Sequence, residues 1–112
     1  MTELTEKKCV ACEGGIPPMK EPRIKKYLAK VPGWSWTKDK TDKIERDFTF
    51  KNFKEAIVFI NKVADLAESE GHHPDILLHG WNKVQLTLYT HSISGLSEND
   101  FIMAAKIDKL VQ

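Results

Sequence analysis

The spacing of apolar residues changes period several times along the chain, and each change marks an element. Ile24, Tyr27, Leu28 and Val31 recur at the three-and-four spacing of one helix face. That run opens on Glu21-Pro22, where proline is tolerated in a first turn, and closes on Pro32-Gly33. Trp34-Ser35-Trp36-Thr37, within residues 33–38, alternates large and small as a strand does, with both indoles expected to pack the sheet. Asp39-Lys40-Thr41-Asp42 is a polar turn. From Lys43 to Phe50, Ile44, Phe48 and Phe50 share a face with Arg46, while Glu45, Asp47 and Thr49 face the other way. This predicts a hairpin with one buried face. Helical spacing returns with Phe53, Ala56, Ile57, Ile60, Val63, Ala64 and Ala67, and runs to Glu70. Asn52 is a polar N-cap with Glu55 three residues on. Gly71 suits a C-terminal cap, and Pro74 forbids further helix. A third strand is predicted over Ile76 to Trp81, with Gly80 as a bulge, followed by a compact turn at Asn82-Lys83. Val84 to His91 alternates as a fourth strand. Ser97 to Gln112 is the last helix, with Ser97 and Asp100 as a capping box and Leu96 with Phe101 as a hydrophobic staple.

Helix, strand, strand, helix, strand, strand, helix, with both hairpins antiparallel, has one simple burial solution. It is an α+β two-layer sandwich: a four-stranded antiparallel sheet with three helices on one face. Residues 1–20 lack periodicity and contain Gly14-Gly15 and Pro17-Pro18. They read as an irregular N-terminal arm, laid over the domain or frayed, and 21–112 as the domain.

Composition narrows the class. A chain of 112 residues, 41% hydrophobic and 29% charged, is one globular domain and not a disordered one. Lys+Arg 17 against Asp+Glu 16 leaves +1, which provides no global field for nucleic acid or anionic lipid. No apolar run approaches the ~20 residues of a membrane span, and no signal-type segment opens the chain, so the cytoplasm is expected. Cys9 and Cys12 supply half of a structural zinc site, with no second pair. The Glu-Gly-Gly-Ile-Pro-Pro that follows stops the helix a thioredoxin-type motif needs. An inert pair is expected, with an intersubunit site as the alternative.

His72-His73 directly follows the long helical run, and His91 ends the last strand. If the two final strands pair, those ends lie side by side. Neutral imidazoles donate or accept protons near pH 7, so such a cluster suits acid–base work. Metal binding is not expected. Neighbouring residues in extended chain point to opposite sides, and no His-x-His or His-x-x-x-His spacing occurs. Each residue also has a plain structural reading: Trp81 as core, Asp100 as a helix cap, Glu68 as a solvated position, His79 as a surface strand residue.

The spacing of these residues is specific. Glu68, three residues, His72-His73-Pro74, six residues, Trp81, nine residues, His91, eight residues and Asp100 form a fixed pattern. It resembles the signature of pterin-4a-carbinolamine dehydratases. Asn82-Lys83-Val84, Thr90-His91 and Gly95-Leu96-Ser97 extend the resemblance from about Pro22 to the C-terminus. The Cys-x-x-Cys-x-Gly-Gly arm resembles an extension of some bacterial members. The resemblance implies the same α+β sandwich, assembled as a dimer or tetramer. It implies dehydration of a 4a-hydroxytetrahydropterin to the quinonoid dihydropterin, recycling the pterin of aromatic amino acid hydroxylases. No metal or cofactor takes part, since the pterin is the substrate. By the same resemblance, His72 and His91 flank the 4a-hydroxyl and His73 orients the pterin or shares the proton. Thr90 and backbone near Gly71 bind the heterocycle, Trp81 supports the pocket, and Glu68 or Asp100 fixes imidazole tautomers. Pro74 and Ser92 belong to the same supporting set. Three departures touch the pterin-edge contacts: Gly71 before the histidine pair, one extra residue between Pro74 and Trp81, and Ser92 after His91 where an acid is common in animal members. Some animal members bind a homeodomain transcription factor and stabilise its dimer, so an interaction module on the same fold, catalytic or not, is the first alternative. A metal-dependent hydrolase is the second.

Overall fold

The computed structural model describes residues 4–9, 17–38 and 40–111; Cys12, Asp39 and Gln112 lie outside them. The domain runs α1 (Glu21–Leu28), β1 (Ser35–Thr37), β2 (Lys43–Thr49), α2 (Phe53–Glu70), β3 (Asp75–His79), β4 (Lys83–Leu88) and α3 (Glu98–Leu110), with short 3-10 turns at Leu4–Glu6 and His91–Ile93. The strands form one sheet in the order β1-β2-β4-β3, every pair antiparallel. This is the α+β architecture expected from the hydrophobic pattern.

Alternation decides which face is covered. Ile44 and Phe48 of β2 and Val84, Leu86 and Leu88 of β4 are buried, while the residues between them are not. Ala56, Phe59, Val63 and Ala67 of α2 and Phe101 to Ala104 of α3 complete the same core. Each fully buried leucine or phenylalanine contributes about 2 kcal/mol by removal from water. Arg46, the one charge in the apolar row of β2, reaches across to α3. Its Nη1 lies 2.7 Å from Asp108 Oδ1, which also accepts from Trp34 Nε1 at 2.9 Å.

Element ends differ from the sequence reading in informative ways. Helix α1 stops at Leu28, with Ala29 as its C-cap, because Pro32 disfavours helical backbone at Val31. Val31 is nevertheless buried. The β3–β4 turn occupies residues 80–82, not Asn82-Lys83. Gly80 (φ 56°) and Trp81 (φ 60°) both take the left-handed backbone that a tight hairpin demands. Gly80 is thus a turn residue and not a bulge. Strand β4 ends at Leu88, before His91. Thr90 instead pairs with Gly95 across a small loop that turns the chain back into α3.

The described residues 4–9 of the N-terminal arm lie against the domain. Leu4 is buried, and Lys7 Nζ sits 2.9 Å from Glu98 Oε2, which also accepts from Tyr27 Oη at 2.7 Å. These hydrogen bonds hold the Glu98 carboxyl below its ordinary value. Burial pushes the Glu70 carboxyl up, but hydrogen bonds from Lys106 and the Cys9 N–H outweigh it, so Glu70 is also lowered. A carboxyl that binds its proton more weakly in the native state stabilises the fold above the unfolded value and loses that contribution as pH falls through the native one. The thermal midpoint is therefore expected to be flat near neutrality and to fall below pH 4.5, the ordinary glutamate value. Glu70→Gln combined with Glu98→Gln is expected to flatten that acid limb in calorimetry.

Candidate active site

The site is assembled where α2 ends. Gly71 takes φ 66°, the left-handed cap open to glycine without strain, and its N–H returns to Ala67 O. Pro74 then directs the chain into β3. The reversal carries His72 back against α3, where its Nε2 meets Asp100 Oδ1 at 2.6 Å. The His72 side chain is 12% exposed and that of Asp100 is fully buried.

Asp100 Oδ2 accepts the Ser97 N–H at 2.9 Å, closing the expected capping box, and accepts Thr90 Oγ1 at 2.9 Å. Thr90 Oγ1 also lies 2.8 Å from Ser97 Oγ. One oxygen of the carboxylate thus caps the helix and the other holds an imidazole. The expected helix cap is present, and the same side chain also meets the His72 ring.

Adjacent histidines diverge, as extended backbone requires. His73 points outward, with Nε2 2.7 Å from Glu68 Oε2 and side chains 61% and 78% exposed. A contact this exposed holds its partner loosely. The β3–β4 register pairs Asp75 with Thr87, and continuing it sets 72–73 level with 89–90. His91 follows directly and is exposed, its ring 4.1 Å from that of Tyr89. Ser92 is exposed one residue further on.

Trp81 does not join this group. It stands at the far tip of the β3–β4 hairpin, beyond the five residues of β3, or about 16 Å at strand rise. The residue is 62% exposed, so within one chain it supports no pocket around His72. Tyr89 is the residue the sequence reading missed. It touches His91, and Lys43 Nζ lies 4.5 Å from its ring centroid. The one available signal was its place just before Thr90-His91.

Among the described residues, no group of three or more His, Cys, Asp or Glu could hold a metal ion, and no helix is long and apolar enough to cross a membrane. Cys9 is half-buried, and burial followed by the Glu70 charge pushes its thiol up to about 12. It is therefore a protonated thiol at neutral pH.

The fold is a two-layer α+β sandwich, and the exit of its long helix sets an imidazole against a buried carboxylate. The chain belongs to the pterin 4 alpha carbinolamine dehydratase family, whose model matches residues 17–110. Relatives provisionally named pterin-4-alpha-carbinolamine dehydratases are 46% identical in Rubrobacter xylanophilus, covering 98% of this chain and all of the relative, and 50% identical in Alkaliphilus metalliredigens, covering 97% and 96%. Pterin-4-alpha-carbinolamine dehydratase 2, mitochondrial, of Arabidopsis thaliana is 46% identical over 98% of this chain and 60% of its own length. A transcriptional coactivator/pterin dehydratase from Brucella melitensis has a similar crystal structure, with TM-score 0.78 and 33% identity over 85% of this chain and 99% of that one. A pterin dehydratase-like RuBisCO assembly factor of the alpha-carboxysome aligns at TM-score 0.59 and 25% identity, over 70% of this chain and 88% of that one.

Proposed function

We propose that this protein is a hydro-lyase that dehydrates 4a-hydroxytetrahydropterin to quinonoid dihydropterin and so recycles the pterin of aromatic amino acid hydroxylases in the cytoplasm. The observation that carries the mechanism is the 2.6 Å contact between His72 Nε2 and Asp100 Oδ1. A carboxylate at Nε2 keeps the proton there, which leaves Nδ1 as a proton acceptor. His72 is then the base that takes the N5 proton, and His91 the acid that protonates the 4a-hydroxyl. The C4a–O bond breaks, water leaves, and N5 forms a double bond to C4a. Each proton transfer is worth about 10²–10⁴ in rate. Thr90, the Gly71 backbone, Pro74 and Ser92 shape the pterin edge, and His73 with Glu68 orients the ring from the exposed side.

Homodimer or homotetramer formation belongs to the same reading. Among the described residues β3 pairs only with β4, and its Ile76 and Leu77 are exposed on a sheet edge. A second, protein-interaction role on the same fold is supported by these exposed apolar residues and by the names of the two structural neighbours.

The test is the absorbance decay of a freshly generated carbinolamine with and without the protein. Acceleration that a chelator does not abolish is expected. Decay at the spontaneous rate would remove the enzyme assignment, and loss of the acceleration with a chelator would favour a metal-dependent reaction.

A further inference from the structure

The N-terminal arm and the end of α2 meet at a point the proposed chemistry does not use. Glu70 is the last residue of α2, two before His72. Its Oε2 lies 2.8 Å from Lys106 Nζ on α3, with side chains 9% and 15% exposed. Its Oε1 accepts the Cys9 backbone N–H at 2.9 Å. The Cys9 thiol in turn donates to Asn99 O at 3.6 Å, one residue before Asp100. Lys7, two residues earlier, pairs with Glu98 at 2.9 Å in the same first turn of α3. Residues 7–9 therefore touch both sides of the His72–Asp100 pair: the end of α2 through Glu70, and the start of α3 through Glu98 and Asn99.

We propose that the arm, Glu70 and Lys106 form a clamp that sets the distance and angle between His72 and Asp100, with Glu70 as its positioning residue. His72 lies outside the helix, in a three-residue run between Gly71 and β3 that has no ladder of its own. Its place depends on how firmly the last turn of α2 is tied to α3. A buried carboxylate shared between an ammonium and a backbone N–H is a stiff tie, because neither donor finds an equal partner if it lets go. Glu70 touches no reacting atom in the proposed chemistry, so its loss acts through the imidazole.

The inference rests on the assignment of His72 as a catalytic group, and its readout is separable from turnover. In the full-length protein, ¹⁵N spectra of the histidine rings report the His72 tautomer directly. Glu70→Ala is expected to shift His72 from one dominant tautomer toward a mixture and to lower kcat about ten- to a hundredfold, with KM changed less than about twofold. Glu70→Gln, which keeps an acceptor for the Cys9 N–H, is expected to recover part of both. Lys106→Met provides the same readouts should Glu70→Ala not fold. Asp108→Asn, which loosens the Arg46 tie elsewhere on α3, serves as a control for general destabilisation: its His72 signal and kcat are expected to match the parent whatever its thermal midpoint. An unchanged His72 spectrum and kcat in folded Glu70→Ala or Lys106→Met would overturn the clamp. A shifted spectrum in a protein whose parent never accelerates dehydration would keep the clamp and remove the dehydratase reading.

Discussion

Asp100→Asn is expected to lower turnover about a hundredfold while leaving the fold close to its parent stability. The carboxamide oxygen can still accept from the Ser97 N–H and the Thr90 hydroxyl, so the cap survives. The NH₂ group now faces His72 Nε2 and must donate to it, which moves the ring proton to Nδ1 and leaves no acceptor for N5. Asp100→Ala is expected to lose both properties. The side chain is fully buried, and three polar partners lose it at once: His72 Nε2, Thr90 Oγ1 and the Ser97 N–H. Each buried group left unpaired costs about 1–3 kcal/mol, and a lost cap about 1. A destabilisation of roughly 3 kcal/mol or more corresponds to a thermal midpoint lower by more than about 10 °C in a domain of this size. Scanning calorimetry and carbinolamine kinetics on the two variants separate the roles. Parent-like turnover in Asp100→Asn would show that the carboxylate does not set the proton on His72.

The second large effect falls on the two histidines. His72→Ala and His91→Ala are each expected to lower kcat/KM by about 10²–10⁴, and their pH profiles are expected to differ. A base must be unprotonated to work, so its loss removes the acidic limb of the profile. An acid must be protonated, so its loss removes the alkaline limb. His72→Ala should therefore retain the alkaline limb and His91→Ala the acidic one; the reverse pattern exchanges the roles. His73→Ala is expected to change kcat less than about tenfold, because its contact with Glu68 is exposed and an exposed pair is worth at most about 1 kcal/mol.

Much of this was readable from the chain because the residues that build the site also punctuate it. Gly71 and Pro74 announce the helix end that places His72, and Ser97 with Asp100 announces the cap that orients α3. Period-two alternation in β2 and β4 was enough to assign the buried face, since a one-residue slip would have exposed Ile44 and Leu86. Trp81 shows where such reading stops. Spacing gave its distance along the chain, but a strand of five residues converts six positions into a separation that no local pattern reports. The loop at 89–95 escaped for a similar reason: the Thr90–Gly95 bridge is set by the return to α3, not by alternation. Glu70 stood out in the chain only as the end of the second helical run. Only the fold brings Lys106 and the Cys9 N–H to it.

Asp100 also has a bearing on how this chain can change. Functional groups are usually held at some cost to stability, so replacing them often makes a protein more robust. Here the carboxylate that meets the imidazole through one oxygen also caps the final helix through the other. Asparagine keeps the cap while giving up the chemistry, and a side chain without an acceptor loses both, so no substitution at this position gains robustness in exchange for activity. A lineage that abandoned catalysis and kept the fold would have little to gain by losing this aspartate, and its persistence alone would not reveal whether the chemistry is still practised.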